Sequence, residues 1–545
     1  MLITQLITEN AKHYPDEPAL IEINSRKQIP GNEEAYRNAR RELTWKETEE
    51  MVCRIANLFL DRSYGKGSHI GIIMRNNLEW LPVWLGVLRM GGVVVPLNYR
   101  KSAEELYDQI TRADLCAIVV DPSAGQRLMP VRHRLRNVKQ VFVCGSSFML
   151  PQETESLQEA IENSRPEDPG IPLLREDEAA IYYSSGTTGQ PKAVVYTHHT
   201  LEEAVIREWK NHHQTHGDCF ICIPPLYHVG AKLHASGNLL VGAPTVLMTG
   251  FNVACFFEIL EREKVSIAFL LLPWVQDILE CLREGTLDLS GRDLHAFRLL
   301  HMGAQLIPPE IIAKLRRQWP TLSLDISYGL TESGGPGIMD LGSDNIDRAG
   351  SVGRPAPGWE AMITGPDGSE ITDGTPGELL MKGPGMMKGY LDNPEATAQA
   401  LEGGWLHTGD IARRDSDGFY YIVDRKKDII ISGGENIIPA EVEHFFRERG
   451  DIVDAAVFGV PHKRLGEVVA AVVTLSADSK AGQEELEAFC ETIPSFMRPR
   501  HLFIGQVIRN ATGKADKNAM RKHYGPMCTP ETDLRCRQTC CKDRQ

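Results

Sequence analysis

Residues 184–192 read SSGTTGQPK and directly follow the apolar run Ala179–Tyr183. Glycine lets a backbone approach a ligand closely, hydroxyl and amide groups donate to phosphate oxygens, and lysine balances negative charge. The stretch therefore indicates a polyphosphate-binding loop at the end of a strand. It is not the usual nucleotide P-loop, because two residues rather than four separate Gly186 from Gly189. Taken alone, it is equally compatible with a surface loop rich in glycine and serine.

Further stretches carry groups that could act on the same kind of ligand. They are ISYGLTES at 326–333, GWLHTGD ending on Asp410, VDRKKDIIISGGENI with Arg425, Lys427 and the pair Gly433-Gly434, and RNATGKADK with Lys514. Aromatic, hydroxyl, carboxylate and cationic side chains are what a nucleotide needs for its base, sugar and phosphates. Each of them also has an ordinary structural explanation, as a core aromatic, a turn residue or a solvated charge.

The elements that must position these groups begin at about residue 65. Apolar runs such as HIGIIM, VVVPLN and CAIVVD alternate with amphipathic helical stretches, and the alternation recurs at VLMTGF and SIAFLLLP. Strands alternating with helices predict parallel sheet covered by helices.

From about residue 350, short strands punctuated by glycine and proline, as in GELLMKGPGMMKGY, are typical of a small barrel or antiparallel unit. A separate mixed segment follows the basic cluster Arg425–Lys427. The predicted fold is α/β, with a large N-terminal domain over 1–426 and a smaller, mobile α+β domain over 427–545. The large domain combines mixed sheets, covering helices and a small β-barrel.

The composition narrows the classes of partner. The 545 residues carry a net charge of −14, which disfavours nucleic acid and anionic lipid because both are polyanions. No apolar run approaches the roughly 20 residues that span a bilayer, and no signal peptide is visible. We therefore expect a cytoplasmic protein without integral membrane association. Most of the 12 cysteines lie in apolar runs and are expected to be buried free thiols.

In this order, the motifs resemble those of the adenylate-forming superfamily, which includes acyl-CoA synthetases, firefly-type luciferases and peptide-synthetase adenylation domains. The resemblance extends from YPDEPALIE near the N-terminus to beyond Lys514. It implies that a carboxylate attacks the α-phosphate of ATP, giving an acyl-adenylate and pyrophosphate, before a thiol takes the acyl group. Two anions must meet in the first step, which requires fixed cations and donors.

The resemblance implies a role for each motif residue. Tyr328 would stack on adenine, Asp410 and Arg425 would bind the ribose, and Glu332 would help to hold Mg²⁺. Lys514 would bridge the substrate carboxylate and the α-phosphate. The implied ATP-binding set is Ser184, Ser185, Gly186, Thr187, Thr188, Gly189, Lys192, Gly303, Ala304, Tyr328, Gly329, Thr331, Asp410, Arg425 and Lys514. The implied catalytic set is Lys514, Glu332, Thr331, His228 and Lys192, with Glu332 as the metal ligand.

The acid and its acceptor follow from the same resemblance. The implied acyl pocket, gated by His228, consists of His228, Val229, Lys232, Trp274, Met302 and Leu330. It is partly apolar, which suits an aromatic, alicyclic or medium-chain aliphatic acid. Lys232 lies four residues after His228 and could read a second carboxylate or a polar substituent, or lie on an outer face.

Coenzyme A is the expected acceptor, because too few residues follow Lys514 for a carrier domain. Rotation of the small domain about the hinge Lys427 would bring the glycine pair 433–434 to the site. The implied coenzyme A contacts are Gly433, Gly434, Arg464, Phe496 and Arg498. The alternatives are a stand-alone enzyme that loads a separate carrier protein and an inactive adenylate-fold binding protein. A luciferase-like oxygenation is disfavoured, and the sequence leaves a homodimer open.

Overall fold

The computed structural model describes residues 2–25, 30–145, 153–184, 191–303, 307–341, 348, 350–432, 435–463, 465–495, 497–510, 514–529 and 532–534. The chain divides into two compact units. The first comprises most of residues 1–361 together with 380–407, and the second comprises 362–379 and 408–545. The domain boundary expected after residue 426 stays a prediction.

The described strands, in chain order, are β1 (Pro18–Ile23), β2 (Arg40–Thr44), β3 (His69–Ile73), β4 (Val93–Pro96), β5 (Ala117–Val120), β6 (Gln140–Val143), β7 (Glu155–Ser156), β8 (Glu178–Ser184), β9 (Lys192–Thr197), β10 (Phe220–Cys222), β11 (Thr245–Met248), β12 (Ile267–Leu270), β13 (Leu299–Met302), β14 (Ser323–Leu330), β15 (Gly335–Leu341), β16 (Arg354–Pro355), β17 (Glu360–Thr364), β18 (Gly377–Lys382), β19 (Gly389–Tyr390), β20 (Leu406–Arg414), β21 (Tyr420–Arg425), β22 (Ile430–Ser432), β23 (Glu435–Ile437), β24 (Ile452–His462), β25 (Gly466–Leu475) and β26 (His501–Ile504).

The described helices are α1 (Ile3–His13), α2 (Glu33–Ala39), α3 (Trp45–Asp61), α4 (Trp80–Arg89), α5 (Ala103–Arg112), α6 (Pro122–Arg132), α7 (Leu157–Glu162), α8 (His198–His212), α9 (Leu233–Val241), α10 (Val253–Arg262), α11 (Leu272–Glu284), α12 (Pro309–Gln318), α13 (Pro394–Ala400), α14 (Pro439–Arg447), α15 (Gln483–Cys490) and α16 (Lys517–Tyr524). Side chains fix where several of them begin. Thr44 and Ser102, for example, accept hydrogen bonds from backbone N–H groups at the starts of α3 and α5.

The first unit contains two large sheets. One has nine strands in the order β16-β15-β14-β13-β12-β10-β11-β1-β2, and the other has eight in the order β19-β9-β8-β4-β3-β5-β6-β7. Strand β3 pairs in parallel with β4 and β5, and β12, β13 and β14 are parallel neighbours. The predicted parallel sheets with covering helices are therefore confirmed.

Helix α4 lies in the core of the first unit. All ten of its residues, WLPVWLGVLR, are buried, as expected of a helix that is apolar on every side. Its single charge is compensated, because the Arg89 guanidinium lies 2.8 Å from the Glu49 carboxylate and donates to the Thr4 carbonyl. Trp80 and Trp84 join the same core cluster as Phe59.

The second unit holds a sheet of β22 to β26, in which β24 and β25 pair antiparallel over ten residue pairs. Strands β17, β18, β20 and β21 form a four-stranded sheet, most of which belongs to this unit. Among the described residues this sheet is open, with β17 and β21 as its edge strands, so the predicted small β-barrel is unconfirmed. The segment GELLMKGPGMMKGY does not stay in one sheet, because Gly389–Tyr390 pairs with β9 in the first unit.

Among the described residues, no helix is both long and apolar enough to cross a membrane. The described cysteines are all free, and most of them are buried, as predicted.

Candidate active site

The carboxylate of Glu332 is the centre of a hydrogen-bonded cluster in the first unit. The Ser184 hydroxyl and the Tyr390 hydroxyl both donate to its Oε1, each over 3.0 Å. The Lys192 ammonium lies 4.4 Å from the centre of the Tyr390 ring, so Tyr390 contacts both Glu332 and the lysine. Burial and the Glu332 charge raise the pKa of Tyr390, so this hydroxyl stays protonated as a donor.

Glu332 is held in place by a tight turn between two strands. A short 3₁₀ turn, Thr331–Ser333, separates β14 from β15, and the Ser333 hydroxyl accepts from the Leu330 amide and donates to the Gly335 carbonyl. The Tyr196 hydroxyl donates to the Thr331 carbonyl. The hydroxyl groups of Ser333 and Tyr196 are both buried, so these hydrogen bonds hold the turn that carries Glu332 in one conformation.

Only the ends of the predicted phosphate loop can be placed. Ser184 ends β8 and Lys192 begins β9, and the two residues are direct partners in an antiparallel pair. This arrangement brings both side chains to the same end of the hairpin. Ser185, Gly186, Thr187, Thr188 and Gly189 lie outside the described residues, as does Ala304.

The carboxyl end of β14 carries Tyr328, which is half-buried, together with Gly329 and Leu330. Glycine is required at position 329, because a Cβ there would lie 2.3 Å from the Gly335 carbonyl oxygen. Strand β13 runs parallel beside it and ends at Met302, followed by the buried Gly303. Met302 is fully buried in a core cluster, and Trp274 packs against the same cluster.

The His228 segment is tied down by Lys232. The Lys232 ammonium donates to the Leu226 carbonyl over 2.5 Å and to the His228 carbonyl over 2.9 Å. It also lies 4.7 Å from the centre of the Tyr182 ring. The side chain is buried at 5% exposure, and burial lowers the pKa of Lys232 to about 7. The lysine thus contacts the backbone of the segment, while His228 and Val229 are half-buried.

In the second unit, Asp410 and Arg425 are direct partners across β20 and β21, with Arg425 Nε 2.8 Å from Asp410 Oδ1. Asp410 is almost completely buried. Lys514 belongs to the same unit, where its amide donates to the Asn510 side chain. Burial and the Arg425 charge lower the pKa of Lys514 to about 8, against the opposing effect of Asp410.

Most of the predicted coenzyme A and hinge residues lie wholly or partly outside the described part of the structure. Arg498 is half-buried, and its guanidinium donates to the carbonyls of Glu491 and Ile493. Lys427 lies in a short 3₁₀ turn, Lys426–Asp428, but its side chain is outside the described part of the structure. Gly433, Gly434, Arg464 and Phe496 are also outside it.

Sequence reasoning missed Tyr390 and Tyr196. Tyr390 is 58 residues from Glu332 along the chain, in a segment whose glycines and prolines predict a different unit. The local sequence offers one hint only, which is that an aromatic residue follows Gly389 directly before a turn. Tyr196 lies in the apolar run of β9 and looks like an ordinary core aromatic.

Two family models match the chain. Residues 7–391 match the family model of AMP-binding enzymes, and residues 441–514 match the model of the AMP-binding enzyme C-terminal domain. The first match alone covers more than half of the chain.

Similar proteins span nearly the same length. A feruloyl-CoA synthase of Amycolatopsis sp is 29% identical over 90% of this chain and 96% of its own. An indoleacetate–CoA ligase of Aromatoleum aromaticum is 30% identical over 90% of this chain and 94% of its own. The structure of o-succinylbenzoate CoA synthetase from Bacillus subtilis with an acyl-adenylate intermediate has a TM-score of 0.79 at 25% identity, covering 95% and 97% of the two chains.

Proposed function

Because this chain belongs to the AMP-binding enzyme family, we propose that it is an acid–thiol ligase that joins a carboxylic acid to coenzyme A. In the first half-reaction, a carboxylate oxygen attacks the α-phosphorus of ATP, and the bond to pyrophosphate breaks. In the second, the thiol of coenzyme A attacks the acyl carbonyl and AMP leaves. The overall products are acyl-CoA, AMP and pyrophosphate.

The cluster around Glu332 carries this proposal. It combines the Glu332 carboxylate, two hydroxyl donors and Lys192, and two of these residues, Ser184 and Lys192, border the predicted phosphate loop over 185–190. We assign Lys192, Ser184 and that loop to the β- and γ-phosphates, and Thr331 to the α-phosphate. Tyr328, with Gly303, Ala304 and Gly329, is assigned to the adenine.

Glu332 suits a magnesium ion. Both hydroxyl donors contact Oε1, and Oε2 has no hydrogen-bond partner among the described residues. A carboxylate oxygen is the type of ligand that Mg²⁺ prefers. When bound with the nucleotide, Mg²⁺ neutralises phosphate charge. The chain's own part is to hold the ion, with the two hydroxyl donors fixing the orientation of the Glu332 carboxylate.

In the second unit, we assign Asp410 and Arg425 to the ribose and Lys514 to the first half-reaction. Asp410 can accept from ribose hydroxyls, and its ion pair with Arg425 orients the buried carboxylate. Lys514, when protonated, offsets the repulsion between the substrate carboxylate and the α-phosphate. We further propose that residues 427–545 form a lid that rotates about Lys427, bringing Gly433 and Gly434 to the thiol acceptor.

An aromatic, alicyclic or medium-chain aliphatic acid is the proposed substrate. The names of the relatives support this range, since the feruloyl and indoleacetate enzymes act on aromatic acids. The pocket is assigned to His228, Val229, Trp274, Met302 and Leu330, with Lys232 fixing the His228 segment through its backbone. Coenzyme A contacts are assigned to Arg464, Phe496 and Arg498. The cytoplasmic location, a role in fatty acid metabolism and a homodimer stay predictions.

The test is pyrophosphate release from Mg-ATP across a panel of acids, each with and without coenzyme A. The panel spans short and medium aliphatic, alicyclic, benzoic and dicarboxylic acids. Acid-dependent release that rises with coenzyme A, with the thioester identified by mass, is the expected result. Release that coenzyme A does not stimulate would instead indicate a carrier-protein acceptor. Absence of release with every acid would contradict the proposal.

A further inference from the structure

The turn that carries Glu332 is closed by two glycines with left-handed backbone angles. Gly334 has a φ of 65° and donates its amide to the Thr331 carbonyl over 3.1 Å, and Gly335 has a φ of 122°. These angles lead the chain from the 3₁₀ turn into β15, and they favour glycine. A glycine pair permits this turn but does not select it, because glycine also has the widest choice of other conformations. Contacts from outside the turn must therefore hold it.

One such contact comes from Arg207 of α8. Its Nη2 donates to the Gly334 carbonyl over 2.6 Å, although the two residues are 127 positions apart in the chain. The donor is charged, which makes this one of the stronger kinds of hydrogen bond. Gly335 adjoins the same group, since a Cβ there would lie 3.0 Å from Nη2. Arg207 thus contacts the turn two residues after Glu332, where the chain enters β15.

The guanidinium of Arg207 is itself fixed by an aromatic ring. Its Cζ lies 5.0 Å from the centre of the Trp359 ring, which is a cation–π contact. Trp359 is tightly enclosed, because a Cβ on Gly337 or on Gly383 would lie 2.7 Å or 2.2 Å from its nearest ring atom. Arg207 is 6% exposed, so water does not compete for the guanidinium. The donor to the Gly334 carbonyl therefore has a defined position.

Arg207 is an unfavourable residue for stability alone. Burial lowers the pKa of Arg207 to about 10 against the opposing charge of Glu208, so the side chain is charged at neutral pH. Within the part of the chain that the structure describes, its buried Nε and Nη1 have no hydrogen-bond partner. An apolar side chain of similar length would avoid this penalty. Violations of this kind are expected at functional sites.

We propose that Arg207 is a positioning residue for the metal site, which holds the Glu332 turn through the Gly334 carbonyl. The Ser184 and Tyr390 hydroxyls fix the carboxylate of Glu332, whereas Arg207 fixes the backbone that carries it. Arg207 acts through the backbone alone, by limiting the directions in which the carboxylate can point. This proposal rests on the proposed function, because it concerns the Mg²⁺ of the same site.

The first experiment measures how the binding of α,β-methylene-ATP, a non-hydrolysable ATP analogue, depends on the Mg²⁺ concentration. Calorimetry with the full-length protein follows this binding without turnover. In Arg207→Met, the Mg²⁺ concentration for half-maximal binding should rise about 5- to 10-fold, because groups that orient a metal ligand directly typically contribute about 10- to 100-fold and Arg207 acts one step further away. Arg207→Lys keeps a charged donor, so it should show a smaller rise.

Lys210→Met is the matched control, since Lys210 is a cation on the same helix but is exposed. It should leave the Mg²⁺ titration unchanged. Urea unfolding identifies which variants are folded, and Arg207→Lys decides the question where Arg207→Met does not fold. An unchanged titration in every folded Arg207 variant would overturn the inference. An equal shift in Lys210→Met would also overturn it, because the effect would then come from net charge.

A double-mutant cycle separates positioning from a general loss of structure. Glu332→Gln removes the charge through which Arg207 is proposed to act, so Arg207→Met should cause little further rise in the Mg²⁺ requirement in that background. Equal effects of Arg207→Met in the wild type and in Glu332→Gln would overturn the inference. With an acid that turns over, kcat at saturating Mg²⁺ should stay within about threefold of the wild type, since the reacting groups are unchanged.

Failure of the proposed function gives a different result. Analogue binding that does not depend on Mg²⁺ in the wild type, or that Glu332→Gln leaves unchanged, contradicts the metal assignment and with it the role of Arg207. Mg²⁺-dependent binding without pyrophosphate release from any acid contradicts only the ligase reaction. In that case the titrations of the Arg207 variants still decide the inference.

Discussion

Arg425 and Asp410 are direct cross-strand partners, with Nε 2.8 Å from Oδ1 on a carboxylate that is only 3% exposed. The ion pair fixes both side chains in one orientation before a ligand arrives. Pre-organisation of this kind reduces the ordering cost of binding.

Arg425→Ala should therefore raise the KM for ATP by roughly 10-fold, since it removes the ion pair that orients the buried Asp410 carboxylate. It should also lower the free energy of unfolding by about 1 to 2 kcal/mol, as Arg425 itself is partly exposed. Kinetics at varied ATP and denaturant titration measure the two effects. Arg425→Lys is the control, because it keeps the charge, and an equal loss in both variants would point to the guanidinium geometry rather than to the charge.

Lys514→Ala should lose most adenylate formation, by about 100-fold or more, because no cation then offsets the repulsion between the two reacting anions. Conversion of a supplied acyl-adenylate to the thioester should be retained within a few-fold. Single-turnover assays of the two half-reactions separate these steps. Equal losses in both would refute the assignment of Lys514 to the first step.

The pH dependence of the first half-reaction should follow Lys514. Its pKa is lowered to about 8, so the required ammonium is present below pH 8 and is lost as the pH rises through 8. The rate of pyrophosphate release should fall by about tenfold for each pH unit above that value. A rate that stays level up to pH 10 would contradict the role of the charge.

Glu332→Gln should raise the Mg²⁺ concentration needed for half-maximal activity by about 10-fold or more. The amide oxygen of glutamine can still accept from Ser184 and Tyr390, so the substitution removes charge while it keeps these hydrogen bonds. Tyr390→Phe is the matched control for the hydrogen bond alone. An unchanged Mg²⁺ titration in Glu332→Gln would exclude this carboxylate from the metal site.

Lys232→Met should lower the free energy of unfolding by about 1 to 3 kcal/mol, because the buried Leu226 carbonyl and the His228 carbonyl lose their donor. The KM for the acid should rise more than kcat falls, since the His228 segment is no longer fixed. Steady-state kinetics and thermal unfolding test this. Lys232→Arg, which keeps donors, should restore part of the loss, and a variant with normal KM would show that the lysine does not position the segment.

The sequence by itself predicted the family and the general fold, and both are confirmed. Motif residues such as Asp410, Arg425 and Lys514 were singled out because their motifs resemble those of the adenylate-forming superfamily, and their roles stay predictions. The alternation of apolar strands with helices predicted the parallel sheets, because it reflects local periodicity. The small barrel and the domain boundary depend on which short strands pair, and local periodicity does not contain that information.

Only the tertiary structure decided what each polar side chain contacts. Tyr390 reaches Glu332 because β19 pairs with β9, and nothing near residue 390 specifies that pairing. The sequence shows that Lys232 lies four residues after His228. Only the surrounding core determines that the Lys232 ammonium donates to backbone carbonyls. His301 lies within hydrogen-bond distance of both His234 and Ser327 because α9, β13 and β14 meet. Hydrogen bonds between distant segments are set by packing, whereas a sequence pattern records only which face of an element is buried.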